Sequence, residues 1–90
     1  MLKVMIVDNE TAIRKGLIHC IRWESLGCTI AAQAEDGIDA LEQLESVKPD
    51  IIISDIRMPG MDGLKLAETV YLRFPWIKVI MLSGPFSIRL

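Results

Sequence analysis

The chain has 90 residues, of which 51% are hydrophobic and 24% are charged, a balance typical of a folded domain. Its formal net charge of −2 argues against the basic surface that binds nucleic acid, so we expect no direct contact with DNA or RNA. No stretch has the length and apolarity of a signal peptide or membrane span, which predicts a cytoplasmic protein without a membrane partner. Cys20 and Cys28 lie in apolar patterns without metal-ligand spacing, so we expect buried free thiols.

The first third of the chain predicts a strand, a helix and a second strand. Residues 2–7 form an apolar run that stops at Asp8, as a buried strand does at the edge of a sheet. From residue 10 to about residue 23 the apolar residues recur at helical spacing, and Arg14 lies off their stripe. The residues expected to face inward are Ile13, Leu17, Cys20 and Ile21. Alternation over residues 28–34 predicts a second strand at a sheet edge.

The middle of the chain predicts a helix followed by a buried strand. Asp36 is a good helix N-cap, and the helix must end before Pro49 because the residue that precedes a proline avoids the helical region. Its apolar face is expected to contain Ile38, Leu41, Leu44 and Val47. The β-branched run at residues 51–53 predicts a strand covered on both faces, which ends at Asp55 and is followed by a loop at residues 58–60.

The last third predicts a third helix over residues 62–73 and a fourth strand over residues 77–82. The side chains of the helix that are expected to face inward are Leu64, Ala67, Val70 and Tyr71. Strict alternation of strands and helices predicts an α/β fold, a doubly wound parallel sheet with helices on both faces.

Two aspartates follow buried strands of this sheet, and they are expected to be neighbours. In open parallel sheets ligands bind outside the carboxyl ends of the strands, where Asp8 and Asp55 stand. Two carboxylates in this position repel each other and are partly desolvated, which favours a bound cation, and hard oxygen ligands favour Mg²⁺. Taken singly, either aspartate could equally be a solvated helix cap or a turn residue.

Four motifs of the chain resemble the receiver domain of bacterial two-component systems: VDNE at 7–10, EDG at 35–37, ISDIRMPGMDG at 53–63 and MLSG at 81–84. The phrase IRWESLG at 21–27 is similar to receivers that are attached to AraC-type DNA-binding domains. This resemblance implies a flavodoxin-like sheet with strand order 2-1-3-4 and a sensor histidine kinase as the partner that supplies a phosphoryl group. DNA would be reached only through an effector domain that these residues do not contain.

The resemblance also implies the role of each residue at the site. Asp55 is the expected phosphoacceptor, since a carboxylate can form an acyl phosphate. Asp8, Asn9, Asp55 and the backbone carbonyl of Arg57 are the expected Mg²⁺ ligands. Asn9 departs from the usual second acid, so weak metal binding is expected. Ser83 is the expected hydroxyl donor to the phosphoryl group and part of the switch, although without the resemblance Ser83 would be an ordinary turn residue.

The loop after Asp55 contains glycines with expected structural roles. Pro59 and Gly60 are expected to tighten this loop, and Gly63 is expected to permit an unusual backbone angle near the start of the third helix.

By the same resemblance, residues 1–90 form an incomplete receiver domain that lacks the usual α4-β5-α5 segment and has no effector domain. The lysine of the fifth strand would be missing, so an aspartyl phosphate is expected to accumulate poorly. Residues 77–82 would become an edge strand with free hydrogen-bonding groups, which predicts a homo-oligomer formed through the edge of strand 4.

Two other functions remain open from the sequence. The chain could be a degenerate receiver fragment that serves only in interaction or oligomerisation. It could also be a metal-dependent phosphatase of similar topology, but such enzymes usually have a second acid two residues after the nucleophile, where this chain has Arg57. We therefore expect a signalling phosphoacceptor and not an enzyme.

Overall fold

A computed structural model of the chain describes residues 1–83 and 87–89, with the backbone alone for Ser83 and for residues 87–89. The elements, in chain order, are β1 (Leu2–Val7), α1 (Thr11–Cys20), a short 3₁₀ helix (Trp23–Leu26), β2 (Cys28–Ala34), α2 (Gly37–Val47), β3 (Ile51–Asp55), α3 (Gly63–Arg73), β4 (Lys78–Ser83) and β5 (Ser87–Arg89). The strands form one sheet in the order β2-β1-β3-β4-β5. The pairs β1–β2, β1–β3 and β3–β4 are parallel, which confirms the predicted α/β fold and the strand order 2-1-3-4.

The sheet separates two apolar cores of unequal size. The interior strand β1 is buried from Val4 to Val7, because helices pack on both faces of the sheet. The larger core lies between the sheet and helices α2 and α3, and its members include Met5, Ile52 and Leu66. The smaller core lies on the α1 side of the sheet. The buried residues of this smaller core are Val4, Ile6 and Cys28.

Helix α3 buries Val70, as the sequence predicts, but it also buries Leu66 in place of Leu64 and Tyr71. Leu66 and Val70 are fully buried, whereas Leu64 is 60% exposed and Tyr71 is 74% exposed. The prediction that Leu64 and Tyr71 face inward is therefore wrong. Apolar residues occur around much of this helix, so its periodicity alone does not choose a face. The first residue of the helix, Gly63, lies close against the Asp55 backbone at the end of β3.

Helix α1 is shorter than the sequence predicts. It ends at Cys20 instead of near residue 23, because Ile21 has an extended backbone with φ −107° and ψ 134°. The 3₁₀ helix follows, and the Trp23 indole Nε1–H donates a hydrogen bond to the carbonyl oxygen of Leu17 at 3.1 Å. Cys20 is exposed, so the prediction of a buried thiol is correct for Cys28 and wrong for Cys20.

Strand β5 covers part of the edge that the sequence predicts to be free. It runs antiparallel to β4 and pairs with Met81–Ser83, so the prediction of a wholly bare edge is wrong for this half of the strand. Along residues 78–80 no further strand pairs with β4 in the part of the chain that the structure describes. Neither a fourth α-helix nor a fifth parallel strand follows β4 within that same part.

None of the described helices combines the length and the apolarity that crossing a membrane requires.

Candidate functional site

Asp8 and Asp55 stand at the ends of neighbouring parallel strands. Asp8 follows the last residue of β1, and Asp55 is the last residue of β3. The strands pair with Val7 opposite Ser54, so the next residue on each strand reaches the same edge of the sheet. Burial raises the pKa of the Asp8 carboxyl group, and the negative charge of Asp55 adds to this rise, as expected of close carboxylates. The structure therefore brings the two aspartates together, as the sequence predicts.

Asp8 is a buried acid in an environment that opposes its charge. Its side chain is 3% exposed, and its backbone N–H donates to the carbonyl oxygen of Ala34 at 3.1 Å. Burial is the largest cause of its raised pKa, while a hydrogen bond from the Glu10 N–H to Oδ1 at 2.9 Å and the charge of Arg14 lower the pKa in part. An ionised Asp8 beside Asp55 is costly, and a cation at this point would offset that cost.

The other predicted site residues differ in how far the structure describes them. Asn9 is exposed and follows Asp8 directly, and Arg57 is exposed two residues after Asp55. Arg57 also lines a surface depression of about 510 Å³, together with Ile56, Met58, Pro59 and Asp62. Ser83 ends β4 at the same edge of the sheet, but its side chain lies outside the described part of the structure.

The oxygen donors at this edge have the chemistry of a magnesium site. Asp8 and Asp55 offer carboxylates, Asn9 offers an amide oxygen and Arg57 a backbone carbonyl. Within residues 1–83 and 87–89, no three side chains of His, Cys, Asp or Glu form a group that could hold a metal ion. Mg²⁺ commonly binds through one or two carboxylates and completes its shell with neutral oxygens and water, so the donors fit this ion.

The loop after Asp55 folds back onto the acceptor strand. Gly60 has a φ of 73°, which favours glycine, and the Asp62 side chain accepts a hydrogen bond at 2.8 Å from the third residue of α3. Gly63 donates its N–H to the carbonyl oxygen of Ile56 at 2.8 Å. A Cβ atom at Gly63 would lie 2.1 Å from the Asp55 carbonyl oxygen. The expectation of an unusual backbone angle at Gly63 is wrong, because a close approach and not its φ requires glycine there.

Two side chains beside the site are missed by reasoning from the sequence. The Arg14 guanidinium donates a hydrogen bond to the backbone carbonyl of Asp8, although the pattern of α1 only places Arg14 off its apolar stripe. The Ser54 hydroxyl is fully buried and donates to the carbonyl oxygen of Asp55 at 2.9 Å. A polar residue within an apolar strand was a usable signal for Ser54. Arg14 gave no comparable signal, because its partner is a backbone atom six residues away.

Comparison with known proteins assigns the chain and its fold to one family. The family model of the response regulator receiver domain matches residues 4–88. The chain belongs to this family. Receivers are signalling modules of two-component systems, and the resemblance noted in the motifs is thereby confirmed.

Two curated relatives and one solved structure show how far the similarity extends. This receiver is 40% identical over 84 residues to the uncharacterized transcriptional regulatory protein YesN of Bacillus subtilis (strain 168), covering 93% of this chain and 23% of YesN. It is 37% identical over 84 residues to the chemotaxis protein CheY of Listeria monocytogenes, covering 93% of this chain and 69% of that protein. The crystal structure of a two component transcriptional regulator AraC from Clostridium phytofermentans superimposes with a TM-score of 0.84 at 37% identity, covering 90% of this chain and 63% of that chain.

Proposed function

We propose that this receiver is a phosphoacceptor module that takes a phosphoryl group from a sensor histidine kinase onto Asp55, with Mg²⁺ held beside it. The observation that carries this proposal is the buried carboxylate of Asp8 next to Asp55 at the carboxyl ends of adjacent strands. Two close carboxylates, one of them buried, destabilise the folded chain unless a cation binds. Ligand-binding sites commonly retain an unfavourable local free energy of this kind.

Asp55 is the nucleophile of the proposed reaction. One of its carboxylate oxygens forms a bond to phosphorus while the bond between phosphorus and the kinase imidazole nitrogen breaks. The electron pair of the broken bond stays on the imidazole, and Asp55 becomes an acyl phosphate. Mg²⁺, when bound, neutralises charge on the phosphoryl oxygens. Asp55 is half-buried at the sheet edge, so it remains accessible to a donor.

The remaining site residues bind the cation or the phosphoryl group in this proposal. Asp8, Asn9 and the Arg57 carbonyl hold Mg²⁺ together with Asp55, and the amide at Asn9 makes binding weak because it contributes no charge. The Ser83 hydroxyl donates to a phosphoryl oxygen and couples phosphorylation to the conformation of the following segment.

Phosphorylation of the intact chain tests the assignment of Asp55. After incubation with acetyl phosphate and MgCl₂, intact mass spectrometry is expected to show a minor fraction of the chain with one added phosphoryl group, because the aspartyl phosphate accumulates poorly. This fraction should disappear without Mg²⁺ and in Asp55→Asn. Asp62→Asn is the matched control, because it removes one carboxylate from the same loop while keeping an oxygen that can cap α3. An unmodified wild-type chain, or equal labelling of Asp55→Asn, would contradict the proposal.

The partners of this function follow from charge and similarity. YesN and the Clostridium phytofermentans protein are named as transcriptional regulators. We accordingly propose that this receiver controls transcription in the cytoplasm through a separate effector domain. That domain, and not the receiver, would contact DNA. Residues 1–90 would then form one incomplete receiver domain that acts as a signalling module and not as an enzyme.

A second function, association with further copies of the chain, is favoured by the edge of β4. Residues 78–80 pair with no strand beyond β4 in the described ranges, and such an edge can template pairing with another chain. We propose a homo-oligomer formed through this part of the edge. This association would also occur in a degenerate receiver that is no longer phosphorylated.

A further inference from the structure

Helix α1 is weakly attached to the rest of the molecule, although it follows the loop that contains two proposed metal ligands. None of its residues is fully buried. Its N-cap residue, Glu10, makes no side-chain cap hydrogen bond, whereas Asp36 and Asp62 cap α2 and α3. Side-chain capping and burial are the usual means of fixing the start of a helix. Capping and burial therefore contribute less to fixing α1 than they do to fixing α2 and α3.

Arg14 makes contacts that attach α1 to neighbouring segments. Its Nη1 donates to the backbone carbonyl of Asp8, its Nε donates to Gln33 Oε1 at 3.3 Å, and its Nη2 donates to Thr11 Oγ1 at 3.3 Å. These partners belong to the loop after β1, to the neighbouring strand β2 and to the first turn of α1. Because a guanidinium is planar and rigid, its contacts fix the three segments relative to one another.

We infer that Arg14 is a positioning residue for the metal site, an inference that rests on the proposed function. Arg14 donates a hydrogen bond to the Asp8 backbone carbonyl, and the Glu10 N–H donates one to Asp8 Oδ1 at 2.9 Å. Asp8 and Asn9 are thereby held in place before Mg²⁺ arrives. A site that is already ordered loses less conformational entropy on binding and binds more tightly.

A purely electrostatic role of Arg14 predicts a result of opposite sign. The guanidinium is a positive charge close to Asp8, so its Coulomb repulsion with Mg²⁺ weakens metal binding. If charge alone mattered, removing Arg14 would strengthen Mg²⁺ binding, and Arg14→Lys would leave it unchanged. If positioning dominates, both substitutions weaken binding, because a lysine ammonium cannot reproduce the fork of donors.

Calorimetric titration of the whole chain with MgCl₂ distinguishes the two roles. Arg14→Met and Arg14→Lys are each expected to weaken Mg²⁺ binding about tenfold, the usual effect of losing a residue that orients a metal ligand. Lys15→Met is the matched control, since it removes one positive charge from an exposed position on the same helix, and it is expected to leave the affinity within about twofold. Unchanged or tighter binding by Arg14→Met would overturn the inference, as would full retention by Arg14→Lys.

Amide hydrogen exchange in EDTA provides a second measurement that needs no metal. Arg14→Met is expected to speed exchange of the Asp8 and Glu10 amides, which the wild-type chain holds in hydrogen bonds, while amides of β3 are unaffected. Equal exchange in both proteins would refute the role of Arg14. A wild-type chain that shows no heat of Mg²⁺ binding would refute the proposed function. If the wild-type chain binds Mg²⁺ and the Arg14 variants bind it with the same affinity, only the present inference is refuted.

Discussion

Gly63 joins helix α3 to the backbone of the proposed phosphoacceptor. A Cβ atom there would meet the Asp55 carbonyl oxygen at 2.1 Å and the Ile56 Cα at 3.0 Å, and neither is a flexible side-chain end. Gly63→Ala must therefore displace α3 or the end of β3. We expect the free energy of unfolding in urea to fall by about 2 kcal/mol or more.

The control for this substitution is Gly16→Ala in α1. An added Cβ at Gly16 has no neighbour within 4 Å, so alanine there should raise the free energy of unfolding by up to about 1 kcal/mol through helix propensity. Equal effects of the two substitutions would show that α3 does not rest on the Asp55 backbone as described.

Asp8 should make stability depend on pH in a direction unusual for a carboxylate. Burial raises its pKa, so between the unfolded and the folded pKa the folded chain binds more protons. Its contribution to the free energy of unfolding is therefore greatest at low pH and is lost as the pH rises through this interval. Asparagine does not titrate, so Asp8→Asn should not lose stability as the pH rises. In EDTA this variant should therefore be more stable than the wild-type chain at neutral pH.

Urea denaturation across a pH series, with and without MgCl₂, measures this effect. Mg²⁺ should stabilise the wild-type chain by mass action and have little effect on Asp8→Asn. A variant that is less stable than the wild-type chain at neutral pH in EDTA would show that the Asp8 charge is well accommodated without a cation.

Among the elements, α2 and α3 both have side-chain N-caps, and the sequence predicts the one at Asp36. Asp62 accepts a hydrogen bond at 2.8 Å from the Lys65 N–H, and Asp36 accepts one at 2.8 Å from the Asp39 N–H. Asp62→Ala is expected to lower the free energy of unfolding by about 1 kcal/mol. Asp62→Asn should lower the free energy of unfolding much less, since its amide oxygen can still accept the hydrogen bond. An effect equal to that of Asp62→Ala would argue against capping as the cause.

The start of α1 shows why elements are easier to predict than their attachment. The spacing of Ile13 and Leu17 predicts this helix correctly, because helical periodicity is a local property of the chain. Its contact through Arg14 depends on groups of other segments, the Asp8 carbonyl and the Gln33 side chain. The proposed ligands Asp8 and Asp55 could be predicted because each simply ends an apolar run. Arg14, which contacts the Asp8 backbone, could not be predicted in this way.

At the scale of the whole molecule, the two faces of the sheet are covered unequally. The larger core packs under α2 and α3, whereas Ile51 and Ile53 remain half-buried on the α1 side. Ile80 lies opposite Ile53 on β4 and is also half-buried. Apolar side chains therefore accompany the part of the β4 edge for which we propose association.

Ile80→Lys tests this association, because a charge on an edge strand opposes pairing with another chain. Light scattering at micromolar concentration should show an oligomer for the wild-type chain and a monomer for Ile80→Lys. Tyr71→Lys, which changes a 74% exposed residue on α3, should remain oligomeric. A monomeric wild-type chain with cooperative unfolding would contradict the proposal. It would mean that β5 covers enough of the β4 edge to prevent pairing with another chain.

The sequence by itself determines the alternation of strands and helices, the cap at Asp36 and the meeting of Asp8 with Asp55. Each depends on a local pattern: a period, a capping residue or a polar residue that ends a buried strand. Only the tertiary structure decides that Leu66 faces the core instead of Leu64, that Arg14 holds the Asp8 carbonyl and that β5 pairs with half of β4. These features depend on contacts between different elements of the fold, whose energies no period or capping residue within one element contains.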